Sequence, residues 1–101
     1  MGVLRGGARI RATSFDVFVR RSDRGRPRIA VIVPRYGHTA VARNRVRRRL
    51  TEALRTGWLG TAHAAGCGVD LIVRAKPAAY GASYGTLREA LDRAVESACE
   101  R

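Results

Sequence analysis

The sequence has 101 residues, of which 46% are hydrophobic and only 6% are aromatic. This length predicts a single domain, residues 1–101, with a modest core of aliphatic side chains. The composition is that of a globular protein and excludes a disordered chain. The formal net charge is +12, and Lys76 is the only lysine among the basic residues.

A net charge of this size favours a polyanionic partner. Arginine offers a planar set of donors that binds phosphate through two hydrogen bonds and also stacks on bases. Codon preference in a GC-rich genome would explain arginine in place of lysine, but it does not explain a charge of +12. The charge therefore predicts a protein that binds nucleic acid.

The two cysteines, Cys67 and Cys99, do not have CxxC spacing. The sequence also contains no apolar run of about 18 residues and no signal-peptide pattern. We therefore predict a cytoplasmic protein with no membrane partner and with reduced thiols. The alternative is a disulfide between the two cysteines.

The first half of the chain predicts two strands. Residues 1–12 are rich in glycine and arginine, which indicates either a mobile basic arm or the start of a first strand. Residues 14–20, SFDVFVR, alternate between apolar and polar side chains, as a half-buried strand does. Residues 28–33, RIAVIV, are β-branched and predict a second strand that pairs with residues 14–20 as a hairpin.

Phe18 lies on the otherwise polar face of the first of these strands, between Asp16 and Arg20. An aromatic ring on such a face can stack on an unpaired base. The alternative is that a helix covers this face and buries the ring.

A central helix is predicted over residues 40–56, with Thr39 as its N-cap and Gly57 as the residue that ends it. On a helical wheel one stripe is apolar and should face the sheet. The members of this stripe are Ala42, Val46, Leu50, Ala53 and Leu54.

The centre of this helix carries five arginines in a window of seven residues, from Arg43 to Arg49. They point in every direction except towards the core, and Glu52 is the only acidic residue among them. Like charges one turn apart destabilise a helix unless anions neutralise them. The pattern therefore predicts an anion-binding helix; the alternative is an ordinary solvated basic face.

The second half of the chain completes the fold. Residues 58–68 are rich in glycine and alanine and predict a loop, and residues 69–74 predict a third strand. Ser83 is the predicted N-cap of a last amphipathic helix. The order of elements predicts an α+β fold: a two-layer sandwich of a small mixed β-sheet and two main helices, in which the arginine-rich helix is a crossover between strands.

No set of residues suggests catalysis by the protein itself. His38 and His63 lie in predicted loops without a cysteine or carboxylate at metal-ligand spacing. The eight acidic residues are scattered, and we predict that Asp16 and Asp70 are structural. We therefore expect no catalytic residue and no metal ligand in this chain.

Two segments resemble the bacterial ribonuclease P protein family. Residues 40–50, AVARNRVRRRL, resemble its RNR signature, and residues 72–78, IVRAKPA, resemble the segment that follows its crossover helix. The resemblance implies a protein that assists a catalytic RNA in the endonucleolytic removal of the 5′ leader from precursor tRNA. It implies that the partners are the catalytic RNA and the leader, with no obligate protein partner, and that magnesium acts through the RNA.

The resemblance also implies roles for particular residues. Those that would contact the catalytic RNA are Arg43, Asn44, Arg45, Arg47 and Arg48, while Phe18 would face the leader. The preceding loop has Arg35 and Tyr36 where the family commonly has two lysines, so Arg35 keeps one charge. The family usually opens with a helix before its first strand, and MGVLRGG is too rich in glycine for one.

Two other classes of protein share this charge pattern. The first is a ribosome-associated or general structured-RNA-binding module without a role in cleavage. The second is a DNA-binding protein, which the sequence favours less because no helix-turn partner precedes the arginine-rich helix.

Overall fold

The computed structural model describes residues 7–22, 25–96 and 98–100. The strands are β1 (Gly7–Arg11), β2 (Phe15–Arg21), β3 (Arg28–Ile32) and β4 (Val69–Ala75). The α-helices are α1 (Ala40–Leu54), α2 (Gly60–Ala64) and α3 (Tyr84–Val95). A π-helical turn, Arg55–Leu59, joins α1 to α2, and the 3-10 turns Pro77–Gly81 and Ala98–Glu100 follow β4 and α3.

The prediction of an α+β sandwich is confirmed. Residues 1–12 were predicted to be either a mobile basic arm or the start of a first strand. Residues 7–11 form a strand, so the second prediction is confirmed there. Residues 1–6 of the predicted basic arm lie outside the described residues.

The strand order in the sheet is β1-β2-β4-β3, so the predicted hairpin between β2 and β3 is wrong. β4 pairs antiparallel with β2 and parallel with β3. α1 carries the chain over from β3 to β4, and β4 then lies between the two strands that are neighbours in sequence. β4 takes this central place because its inward residues are fully apolar and buried, as Leu71 and Val73 show.

The helices pack against one face of the sheet. That face carries Phe15, Val17 and Val19, each no more than 2% exposed. The buried residues of α1 are Val46, Leu50, Ala53 and Leu54, which confirms the predicted stripe except for Ala42, which is only partly buried. Because successive side chains of a strand alternate between faces, Phe18 lies on the face opposite the helices.

Both predicted N-caps are confirmed. The Thr39 hydroxyl accepts a hydrogen bond from the Ala42 amide at 3.1 Å, and the Ser83 hydroxyl accepts one from the Thr86 amide at 3.2 Å. Each cap satisfies an amide that has no partner within its helix. The caps therefore set the points at which the two main helices begin.

The prediction that Gly57 ends the central helix is wrong. The chain continues as the π-helical turn and then as α2, so the predicted loop begins only after Ala64. A Cβ atom at Gly57 would lie 2.8 Å from Asp92 Oδ1 of α3, so a larger residue there would have to displace that side chain. The turn itself is made at Gly66, where φ is +68°.

Cys67 and Cys99 form a disulfide, so the prediction of reduced thiols is wrong and the alternative holds. Their Cα atoms are 5.7 Å apart, within the usual range for a disulfide. The bond ties the loop before β4 to the 3-10 turn after α3. Because the cysteines are 32 residues apart, only the packing of these elements brings them together.

Candidate nucleic-acid interface

The outer surface of α1 presents arginines that lack acidic partners. Asn44, Arg45, Arg47 and Arg48 are exposed, and Arg43 is partly buried. Among the described residues, none of these four arginines takes part in a salt bridge. Five acidic side chains pair with other basic residues: Asp16 with Arg9 and Lys76, Glu52 with Arg55, Asp70 with Arg28, Glu89 with Arg93, and Asp92 with Arg88.

Arg49 differs from its neighbours on α1. Its Nη1 donates a hydrogen bond of 3.1 Å to the carbonyl oxygen of Ala82, just before α3. This contact joins the two main helices and occupies the guanidinium. Arg43, in contrast, has a buried Nε without a hydrogen-bond partner among the residues that the structure describes. Arg45, Arg47 and Arg48 are therefore the most accessible to phosphate, and Arg43 is less accessible because it is partly buried.

The loop between β3 and α1 is held by aromatic side chains. The Tyr36 hydroxyl donates to the carbonyl oxygen of Ala75 at 3.0 Å, and the Tyr80 hydroxyl donates to that of Pro34 at 2.8 Å. His38 stacks on Tyr80 with ring centroids 3.8 Å apart, and Tyr36 meets Tyr80 edge-on at 6.4 Å. This network fixes the loop that presents Arg35, which is exposed.

The role of Tyr80 was not apparent from the sequence. Tyr80 lies in the 3-10 turn after β4, and only the parallel pairing of β3 with β4 brings that turn to the loop before α1. A tyrosine shortly after a strand carries no signal of its own.

The sheet face opposite the helices carries Phe18 in an apolar row. In register with Phe18 are Ile72 of β4 and, beyond it, Ala30 of β3. On the other side lies Arg9 of β1, whose guanidinium carbon is 5.3 Å from the centroid of the Phe18 ring. This distance is typical of a cation–π contact. The alternative interpretation, in which a helix covers Phe18, is wrong for the described helices, because they pack on the other face of the sheet.

Charged residues border this apolar row on both sides. One neighbouring row contains Arg20, Asp70 and Arg28, and the other contains Arg11, Asp16, Arg74 and Ile32. The sequence pattern indicated Phe18 but not Arg9 and Arg74, because the strand pairings that place them near it depend on the tertiary structure. The open face thus combines an aromatic ring, apolar side chains and arginines.

Asp16 is buried and holds two cations, Arg9, which lies against Phe18, and Lys76. Its Oδ2 lies 2.9 Å from Arg9 Nη2, and its Oδ1 lies 3.2 Å from Lys76 Nζ. Desolvation by burial raises the pKa of the Asp16 carboxyl, but its interactions with Arg9 and Lys76 outweigh that effect and hold the pKa below its ordinary value. The predicted structural role of Asp16 is confirmed, and Asp70 likewise pairs with Arg28 at 3.4 Å.

The structure separates the predicted site residues into two surfaces. The arginines of α1 lie in the helical layer, whereas Phe18 lies on the far face of the sheet. Arg35 lies in the loop that connects the two layers. In the described part of the chain, no three residues of His, Cys, Asp or Glu are grouped so as to hold a metal ion, and no helix is long and apolar enough to cross a membrane.

The chain is similar to proteins of one family. Residues 2–99 match the family described as Ribonuclease P. The ribonuclease P protein component of Pseudarthrobacter chlorophenolicus is 36% identical over 99 residues, which cover 97% of this chain and 70% of that protein.

Two solved structures share the fold. A mutant of the Staphylococcus aureus RNase P protein superimposes with a TM-score of 0.74 at 20% identity, covering 93% of this chain and 76% of that one. The RNase P protein from Thermotoga maritima superimposes with a TM-score of 0.70 at 21% identity, covering 91% of this chain and 84% of that one. The family match and the identity to the Pseudarthrobacter protein show that this chain belongs to the ribonuclease P protein family.

Proposed function

We propose that this chain is the protein subunit of ribonuclease P and assists a catalytic RNA in the endonucleolytic removal of the 5′ leader from precursor tRNA. The observation that carries the proposal is the set of α1 arginines that have no acidic partner among the described residues, in a member of this family. Each phosphate that they neutralise releases counterions, which drives association with RNA. The protein supplies charge and position, and the RNA supplies the chemistry.

The catalytic RNA binds the surface of α1 in this proposal. Its contacts are Arg43, Asn44, Arg45, Arg47 and Arg48, with Arg35 at the start of the helix. α1 is anchored through side chains such as Leu50, which is fully buried, so its arginines stand on a rigid support. A preorganised surface loses little conformational entropy when it binds.

The single-stranded leader binds the open face of the sheet. Phe18 stacks on a base, and Arg11 and Arg74, which form no salt bridge among the described residues, neutralise phosphates along the neighbouring row. Stacking on an aromatic ring tolerates any base, because every base has a π face. Such a surface suits a leader whose sequence varies among precursor tRNAs.

The magnesium ions of the hydrolysis are assigned to the RNA subunit. RNA folding and the approach of a second RNA both need cations to reduce the repulsion between phosphates. Arginines at that interface contribute the same screening. The protein should therefore lower the magnesium concentration at which the RNA cleaves its substrate.

Cleavage of a precursor tRNA by the catalytic RNA of a related bacterium tests the proposal. At low magnesium, the protein should restore cleavage at the 5′ end of the mature tRNA, while a variant with Arg45→Ala and Arg48→Ala should restore much less. Leu59→Met is a matched control outside both surfaces. Binding of the RNA without any stimulation of cleavage would instead identify a general RNA-binding module and overturn the proposal.

A further inference from the structure

A groove between α1 and α3 adjoins the α1 surface to which the proposed function assigns the catalytic RNA, and it shares Arg45 and Arg48 with that surface. It is lined by Arg45, Arg48, Arg49, Glu52 and Tyr84, and its volume is about 300 Å³. This volume lies at the lower end of the range for small-ligand sites. Tyr84 is the only one of these residues that comes from α3, and it lies in the first turn of that helix.

Tyr84 is held in place from one side. Arg88 Nη1 donates to the Tyr84 hydroxyl at 3.4 Å and to the Thr56 hydroxyl at 3.1 Å. Arg88 Nε donates in turn to Asp92 Oδ2 at 3.3 Å. The half-buried ring is therefore an aromatic surface that loses little side-chain freedom when it meets a ligand.

The charges along the groove are arranged unevenly. Arg45 and Arg48 are exposed and have no acidic partner in the described residues, whereas Arg49 is occupied by its hydrogen bond to Ala82. Glu52 lies one turn beyond Arg48 and pairs with Arg55 at 3.0 Å. Arg88 joins the Tyr84 hydroxyl to Thr56, one turn beyond Glu52, so this hydroxyl lies towards the C-terminal end of α1, whereas the unpaired positive charge of the groove lies at Arg45 and Arg48.

We infer that this groove is a subsite for one unpaired nucleotide of an RNA, whose base stacks on Tyr84 and whose phosphate binds Arg45 and Arg48. A base in a duplex is stacked on its neighbours and cannot offer its face to Tyr84, so the subsite selects an unpaired position. The groove is continuous with the α1 surface that we assign to the catalytic RNA. The inference therefore rests on the proposed function and adds a site that distinguishes unpaired from paired RNA.

Binding to the catalytic RNA in the absence of precursor tRNA tests the subsite. Tyr84→Leu should weaken binding about tenfold, as the loss of one stacked base does, without changing the slope of log K against log salt. Tyr84→Phe keeps the ring and should bind as the wild type does. Leu59→Met, outside both RNA-binding surfaces, is the control and should also bind normally. If Tyr84→Leu and Tyr84→Phe lost the same amount of affinity for the catalytic RNA, or if neither lost any, the inference would be overturned.

A second assay does not depend on ribonuclease P. In a Phe18→Leu background, which removes stacking on the open sheet face, binding of single-stranded oligoadenylate and of an RNA duplex of the same length is compared. Tyr84→Leu should weaken binding of the single strand but not of the duplex. This result can hold even if the protein fails to stimulate cleavage, so failure of the proposed function and failure of the subsite are distinguishable.

A fluorescent variant keeps the test decisive if Tyr84→Leu does not fold. Tyr84→Trp in a Trp58→Phe background places the only tryptophan in the groove. Oligoadenylate should quench its fluorescence with a saturable dependence on concentration, and the duplex should not. No quenching by oligoadenylate, or equal quenching by both, would refute a stacked base at this position.

Discussion

The hydroxyl of Tyr36 donates a hydrogen bond to the backbone carbonyl of Ala75, 3.0 Å away, and thereby joins the loop before α1 to the end of the central strand. Tyr36 has a φ of +51°, which residues other than glycine adopt at a cost in conformational energy. Its hydrogen bond and its edge-on contact with Tyr80 offset this cost. The start of the arginine-rich helix is therefore positioned from the sheet.

Tyr36→Phe should remove the hydrogen bond and keep the ring. We expect the free energy of unfolding to fall by about 1 kcal/mol, because the Ala75 carbonyl then loses a partner in a partly buried site. Urea unfolding followed by circular dichroism measures this change. Val41→Ala is the control, since Val41 is 69% exposed and its truncation should change stability by less than about 0.5 kcal/mol. A Tyr36→Phe protein as stable as the wild type would show that the bond contributes nothing.

Arginine and leucine substitutions on α1 should have opposite effects. Arg45→Ala and Arg48→Ala should each reduce the slope of log K against log salt for RNA binding by about one unit and leave stability nearly unchanged. Leu50→Ala should cost about 2–5 kcal/mol of stability, because Leu50 is 0% exposed and its truncation leaves a cavity. Salt titrations and urea unfolding separate the two effects. Loss of stability in the arginine variants with unchanged affinity would show that these side chains are structural.

Phe18→Leu should affect the leader and not the catalytic RNA. Leucine keeps much of the apolar volume but offers no aromatic face, so we expect weaker binding of precursor tRNA by the assembled enzyme, by about 1–3 kcal/mol. Binding of mature tRNA, which lacks a leader, should be unchanged. Comparison of the two dissociation constants measures the effect. Equal losses for both RNAs would indicate that Phe18 supports the sheet and does not contact the leader.

The ion pairs of Asp16 should make stability depend on pH in the acid range. Because the pKa of its carboxyl is lowered in the folded protein, Asp16 stabilises the fold at pH values above its unfolded pKa of about 4. This contribution is lost as the pH falls through the lower pKa of the folded state. Asp16→Asn should be less stable than the wild type at pH 6, and the difference should shrink as the pH falls below about 4. An NMR titration in which Asp16 ionises above that pH would contradict this account.

Reduction of the disulfide should destabilise the protein. The bond between Cys67 and Cys99 closes a loop across a separation of 32 residues, which in the chain-entropy treatment stabilises the fold by about 3–4 kcal/mol. Unfolding in urea with and without a reductant measures the loss. A variant with Cys67→Ala and Cys99→Ala is the control and should not respond to the reductant. A wild-type protein that also fails to respond would show that the thiols are not paired.

The sequence by itself determined the local elements and the chemistry of α1. The apolar stripe through Val46 and Leu50 and the caps at Thr39 and Ser83 were predicted correctly, because each depends on residues within one or two turns of the chain. The arginines from Arg43 to Arg49 were recognised in the same way. These signals are local, so the distant parts of the chain do not alter them.

The tertiary structure alone decided which distant residues meet. It placed β4 between β2 and β3, joined Cys67 to Cys99, and set Arg9 against the ring of Phe18. It also continued the helical chain through Gly57, where the sequence predicted a helix end. The sequence around one residue of each pair does not indicate which distant residue it will meet. The pairing is selected by the free energy gained when the whole core is buried.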